Sequence, residues 1–189
     1  MDKLLSDYIV EIRNLFDNYK HRQFVKLLKN DAFDFKEALL ANQKSNKKIR
    51  DTLHCSLGSI NESSMKNVHW ANTFHFTLKK AVEKYCKVTN SDDDIVSNII
   101  DIQILKYPIG GFYVPHVDSG EYINRMLSFL YFANEDYVGG ELYFRLNDKD
   151  YPVKIEENKL IIFPSNFMYR HGVKPVTQGT KYSVVAWAL

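Results

Sequence analysis

From residue 98 onward the chain offers little besides short strand-like segments, and that run limits the folds open to it. NIIDIQILKY, NRMLSFLYF, GELYFRL, YPVKI, KLIIFP, FMYRHGV and KYSVVAWAL are rich in β-branched and aromatic residues. Polar or glycine-bearing turns separate them and no helix-length pattern intervenes, the signature of a closed antiparallel barrel or a sandwich. The first half reads differently. Leu4, Leu5, Tyr8, Ile9, Ile12, Leu15 and Phe16 share one helical stripe. Acids and bases on its other face favour a helix packed on a sheet over a membrane-surface helix. QFVKLL and DFKEALLANQ suggest two further short helices, the second ended by the polar run 42–48. RDTLHCSLG reads as a short strand and GSINESS (58–64) as a polar loop. SSMKNVHWANTFHFTLKKAVEKYCK is a long helix with Ser63 or Ser64 as N-cap. Its apolar face is Val68, Ala71, Phe74, Leu78, Ala81, Val82 and Tyr85. NSDDD (90–94) lacks the glycine and later glutamate of a calcium loop and reads as a turn.

Neither a repeat nor a low-complexity linker divides the 189 residues, so one domain is expected over 1–189. Within it, 1–95 would supply helical support and 96–189 the β core, an α+β architecture that is mainly β. A net charge of +2 is too small to draw nucleic acid by electrostatics alone. The main basic cluster, KSNKKIR (44–50), reads as a solvated loop or helix end. Cys55 and Cys86 lack metal-site spacing and read as buried free thiols in a reducing compartment. The N-terminus has neither the basic start nor the apolar run of a secretory signal, and no segment has the length of a membrane span. The expectation is a soluble cytoplasmic chain, monomeric or a weak homodimer, with no nucleic-acid or membrane partner.

The chemistry concentrates in YPIGGFYVPHVD, 107–118. Residues two apart on an extended strand point to one side, so His116 and Asp118 can offer an imidazole and a carboxylate to one metal. His171, the only histidine after His116, is the third ligand candidate. Two imidazoles and a carboxylate with open positions suit oxygen-activating non-haem Fe(II). His69 and His75 on the long helix are not spaced for one metal and read as surface or core histidines. Lys181 lies in the apolar strand KYSVVAWAL, where alternation puts Lys181, Ser183, Val185 and Trp187 on one side. If that side faces inward, the ammonium needs an anionic partner, which the far carboxylate of an iron-chelating 2-oxo acid would supply. If not, it is a surface lysine at the strand's edge. Tyr107 has two readings, an ordinary strand tyrosine or a second hydrogen bond to that carboxylate.

These segments resemble, in order, the 2-oxoglutarate and Fe(II)-dependent dioxygenases of the prolyl 4-hydroxylase branch. YPIGGFYVPHVD, NRMLSFLYFAN, VGGELYF, KLIIFPS and RHGVKPVTQGTKYSVVAW carry the resemblance over roughly the C-terminal half. IRDTLHCSLG and the long helix are similar to that family's N-terminal part, less specifically. The resemblance implies a double-stranded β-helix, a jelly-roll or cupin-like barrel, braced by the N-terminal helices. It implies Fe(II) on His116, Asp118 and His171, and 2-oxoglutarate held by Lys181 with Tyr107 assisting. O2 would be the oxidant and ascorbate the reductant, with succinate and CO2 released. Tyr113, Arg125 and Trp187 would line the substrate side against a prolyl residue in a peptide or protein. Surface pairing for Arg125 and plain core packing for Trp187 are the alternatives. The loop 58–64 would be a lid over peptide, or an ordinary surface loop. Oxygen-sensing relatives carry arginine where Lys181 stands, and the family often has Tyr-Leu-Asn after the arginine strand, where this chain has Tyr131-Phe132-Ala133-Asn134. Lysyl residues or free amino acids are alternative substrates, and a non-catalytic metal-binding module is the alternative outside enzymes.

Overall fold

The computed structural model describes residues 4–39, 46–58, 64–92, 96, 98–120 and 123–189. The lid expected over 58–64 therefore falls largely outside the described residues, as do 42–45 of the polar run and 93–95 at the acidic turn. The strands in chain order are β1 Val10–Arg13, β2 Lys36–Glu37, β3 Arg50–Asp51, β4 Leu53–Ser56, β5 Ile99–Tyr107, β6 Phe112–His116 and β7 Leu127–Phe132. They continue with β8 Val138–Gly139, β9 Leu142–Leu146, β10 Lys149–Pro152, β11 Lys159–Pro164, β12 His171–Val173, β13 Val176–Gln178 and β14 Lys181–Ala188. The two α-helices among the described residues are α1 Asn18–Lys29 and α2 Met65–Thr89.

Seven strands form one sheet in the order β1-β11-β7-β14-β5-β4-β2, and five form a second in the order β10-β9-β12-β6-β3. Neighbouring strands in both run antiparallel. Strand alternation divides the core in two. On β14, Tyr182, Val184 and Ala186 join Phe16, Phe24, Phe74 and Leu78 in a layer between the large sheet and the helices. Val185 points the other way, into a second layer with Leu105, Leu130, Phe144, Phe163 and Val173 between the sheets. The barrel interior that holds the site is this second layer.

Ser64 caps α2 by accepting a hydrogen bond from the Asn67 amide, and Asn90 ends the helix in the left-handed conformation at φ 55°. Its buried face is Trp70, Phe74, Leu78, Ala81, Val82 and Tyr85, whereas Val68, expected on that face, is exposed. Phe74 stacks edge-on against Phe16 at 5.1 Å, Phe24 at 5.3 Å and Tyr131 at 5.5 Å between ring centroids. This cluster fixes both helices to β7. Phe74→Ala is expected to cost about 3–5 kcal/mol, read as a lower urea midpoint at unchanged slope.

Two N-terminal helices expected from the sequence are not found among the described residues. Residues 5–8 form one 3-10 turn, after which Val10 and Ile12 alternate inward on β1 and pair with Ile162 and Leu160 of β11. The apolar spacing satisfied both periods, and the open edge of β11 decides for a strand. In DFKEALLANQ, Lys36 and Glu37 add an edge strand to β4 in place of a helix start. The first half thus contributes β1 and β2 to the sheets, beyond the helical support and the short strand of RDTLHCSLG, now β3 and β4, expected of it. Cys55 and Cys86 are both buried. No helix among the described residues is long and apolar enough to cross a membrane.

Candidate metal centre

β6 and β12 lie side by side with His116 opposite His171. Asp118 follows just past the end of β6, where the Ser119 amide bonds the Ser165 carbonyl at 3.0 Å and ties the turn to the end of β11. The ligand atoms of His116, Asp118 and His171 lie within 4.8 Å of one another, the only such group of three among the described residues. In both histidines Nδ1 faces a carbonyl oxygen, Val114 O and Tyr169 O, each at 3.0 Å. A carbonyl only accepts, so each Nδ1 carries the hydrogen and each Nε2 presents a lone pair. His116 Nε2 is 3.4 Å from Asp118 Oδ1 and His171 Nε2 is 3.5 Å from Oδ2. Acceptors thus converge with no hydrogen between them, which a divalent cation satisfies. The residues fit a metal.

Protonation agrees with that fit. Burial pushes His171 down to about 4, against the opposing charge of Asp118. Burial would raise Asp118, but His171, His116 and the hydrogen bond from Ser128 hold it well below the usual carboxylate range. At neutral pH the site therefore offers a neutral imidazole and an ionised carboxylate, the forms that ligate metals.

Ser128 was invisible as a site residue in the sequence reading, although a hydroxyl inside the apolar strand LSFLYF was a signal. Its Oγ donates to Asp118 Oδ2 at 2.6 Å and lies 2.7 Å from Ser165 Oγ. Outer partners of this kind orient a ligand and tune its basicity. Ser128→Ala should weaken Mn(II) binding by about 10–100-fold in equilibrium dialysis; unchanged affinity would remove Ser128 from this role.

A cavity of about 380 Å³ opens above the trio, walled by Tyr107, Tyr113, Arg125, Phe129, Val185 and Trp187 among others. The Tyr113 ring stacks on His116 at 3.6 Å with 19° between planes. Arg125 lies over Trp187 at 3.7 Å and pairs with Asp101 at 3.1 Å. Asp101 reaches it from a bulge in β5, where φ is +52° and the β14 register shifts. Arg125 is therefore both a cavity residue and half of an ion pair, where the sequence reading set these as alternatives.

Lys181 is wholly buried and sits opposite Tyr107, with Nζ 5.2 Å from that ring's centroid. It lies beyond the cavity lining, donates to Gly140 O at 2.7 Å, and has no ion pair among the described residues. Burial drops its pKa to about 7. Burial raises Tyr107 to about 12, which keeps its hydroxyl a donor. Ser183, on the same face as Lys181, has a buried Oγ with no partner. An uncompensated ammonium and an orphaned hydroxyl at the barrel's inner end fit the far carboxylate of 2-oxoglutarate.

The fold is the antiparallel double-stranded β-helix on which metal-dependent oxygenases are built. Residues 102–189 match the model of the 2OG-Fe(II) oxygenase superfamily, and the chain has the fold of solved prolyl hydroxylases. A PKHD-type hydroxylase of Gloeothece citriformis is 34% identical over 88 residues, 43% of this chain and 39% of the relative. One from Rippkaea orientalis is 34% identical over 89 residues, again 43% and 39%. The chain thus spans less than half the length of these curated relatives. Among solved structures, a Trichoplax adhaerens prolyl hydroxylase in complex with a hypoxia inducible factor peptide fragment superposes with a TM-score of 0.77 at 18% identity, over 97% of this chain and 84% of that one. A Pseudomonas putida prolyl-4-hydroxylase gives 0.70 at 19% identity, over 96% and 92%.

Proposed function

We propose that the protein is an Fe(II)- and 2-oxoglutarate-dependent dioxygenase that hydroxylates a prolyl residue in a peptide or protein. The observation that carries this reading is the convergence of two imidazole lone pairs and a buried carboxylate on one point. His116, Asp118 and His171 would hold the iron. When bound, iron and 2-oxoglutarate supply oxygen activation coupled to oxidative decarboxylation, with succinate and CO2 as products. Lys181 and Ser183 would take the far carboxylate, with the Tyr107 hydroxyl assisting as donor. Ascorbate would keep the metal reduced.

The remaining residues position and exclude. Trp187, fixed by the stacked Arg125, gives a flat wall suited to a pyrrolidine ring, and Tyr113 holds the opposite side against His116. Phe129, Phe163 and Val185 keep water from the trio. No general acid or base is required of the protein. The Trichoplax neighbour, solved with a peptide bound, supports a peptide substrate for this fold.

The test is a panel of proline-containing peptides with Fe(II), 2-oxoglutarate and ascorbate. Stimulated succinate release with a gain of one oxygen mass on proline is expected. Stimulation by lysine peptides or free amino acids in place of proline would replace the substrate and keep the oxygenase.

A further inference from the structure

Arg50 was read in the sequence as the end of a solvated basic cluster, yet the fold carries it into the cavity wall. It stands on β3 opposite Tyr113 of β6. Its guanidinium lies 4.9 Å from the centroid of the Tyr113 ring, which in turn stacks on His116. Among the described residues the one hydrogen bond of its guanidinium is a long contact from Nη1 to Leu39 O at 3.4 Å, and its Nε is buried without a partner. No carboxylate among them pairs with it.

The other charged groups around the cavity are accounted for. Arg125 is neutralised by Asp101. Asp118 belongs to the trio. His54, also lining the cavity, is pushed down by burial and then by the charge of Arg50 itself, so it adds no anion and no cation at neutral pH. Lys181 lies beyond the lining. A guanidinium with spare donors, next to a ligand histidine and without a carboxylate partner among the described residues, is built to receive a planar anion.

We propose that Arg50 binds a carboxylate of the substrate, so the group oxidised lies beside an acidic function. This rests on the reading of the cavity as a dioxygenase substrate site. The carboxylate has two sources, an Asp or Glu side chain next to the target in a peptide, or the α-carboxylate of a C-terminal residue or free amino acid.

The experiment is calorimetric titration under argon of protein loaded with Mn(II) and saturating 2-oxoglutarate, which keeps the Lys181 end filled. The probes are three matched pairs: Ac-Pro-Glu-NH2 with Ac-Pro-Gln-NH2, N-acetylproline with N-acetylprolinamide, and N-acetylglutamate with N-acetylglutamine. The acidic member of at least one pair should bind about 10-fold or more tightly than its amide. Arg50→Gln should bring that ratio to about one, and Arg50→Lys should keep part of it. A loss of folding or of the Tyr113 stack would weaken both members alike, so the ratio isolates the charge. The first pair responding identifies the side-chain source, and the second the α-carboxylate. Response of the proline-free pair alone would keep Arg50 in its role while removing proline as the target. Equal binding within every pair, or a preference that survives in Arg50→Gln, would overturn the proposal.

Discussion

Asp118→Ala should yield a folded protein that no longer retains a divalent ion and no longer turns over 2-oxoglutarate. The two Nε2 atoms face opposite oxygens of this one carboxylate. Without it, two neutral imidazoles remain, and the negative charge that offsets the cation is gone. Affinity should drop by more than the ~100-fold typical of losing an outer partner. Folding should survive, because the change removes an acceptor crowded against other acceptors and leaves only the Ser128 hydroxyl, which retains Ser165. Thermal denaturation with Mn(II) separates the effects. At 100 times Kd the wild type should gain about 2.7 kcal/mol, and the variant nothing. An equal gain in both would place the ion elsewhere.

Lys181→Met should act in opposite directions on stability and on cosubstrate binding. The ammonium is buried with a single carbonyl for company, and burial lowers its pKa from 10.5 to about 7. Between those values the unfolded chain binds more protons than the folded one, so wild-type stability without ligand rises with pH from about 7 towards 10.5. At pH 7 the charge is a burden of up to about 5 kcal/mol, which methionine of similar volume removes. The variant should therefore be more stable at pH 7 by 1–4 kcal/mol and lose the rise between pH 7 and 9.5. Its affinity for 2-oxoglutarate should fall roughly 30-fold or more, since the carboxylate would be left without its cation. Parallel pH–stability curves for the two proteins would show that Lys181 is not the strained group. Unchanged affinity would move the carboxylate site away from it.

Local pattern decided much of what was legible in the chain. The strands from Ile99 onward follow alternation and β-branching that nothing else in that stretch contests, and α2 announces itself through Ser64 and its apolar face. The inward face of β14 was likewise readable from period two. The stripe from Leu4 to Phe16 misled because its spacing fits a helix, whereas pairing with β11, nearly 150 residues away, makes Val10–Arg13 a strand. The same limit applies to the site. His116 and Asp118 are near neighbours in sequence, His171 is the only histidine after them, and Lys181 stands out as a lone basic residue in an apolar strand. Arg50 and Ser128 reach the cavity only through β3 docking on β6 and β7 passing beside the end of β6. No local spacing encodes either contact.

The most direct test of the central claim is succinate release from 2-oxoglutarate by purified protein with Fe(II), measured beside His116→Ala and Asp118→Ala. The account predicts iron-dependent succinate from the wild type and none from either variant. Folded, iron-loaded wild type that releases no succinate with any substrate offered, or variants that match it, would contradict the assignment.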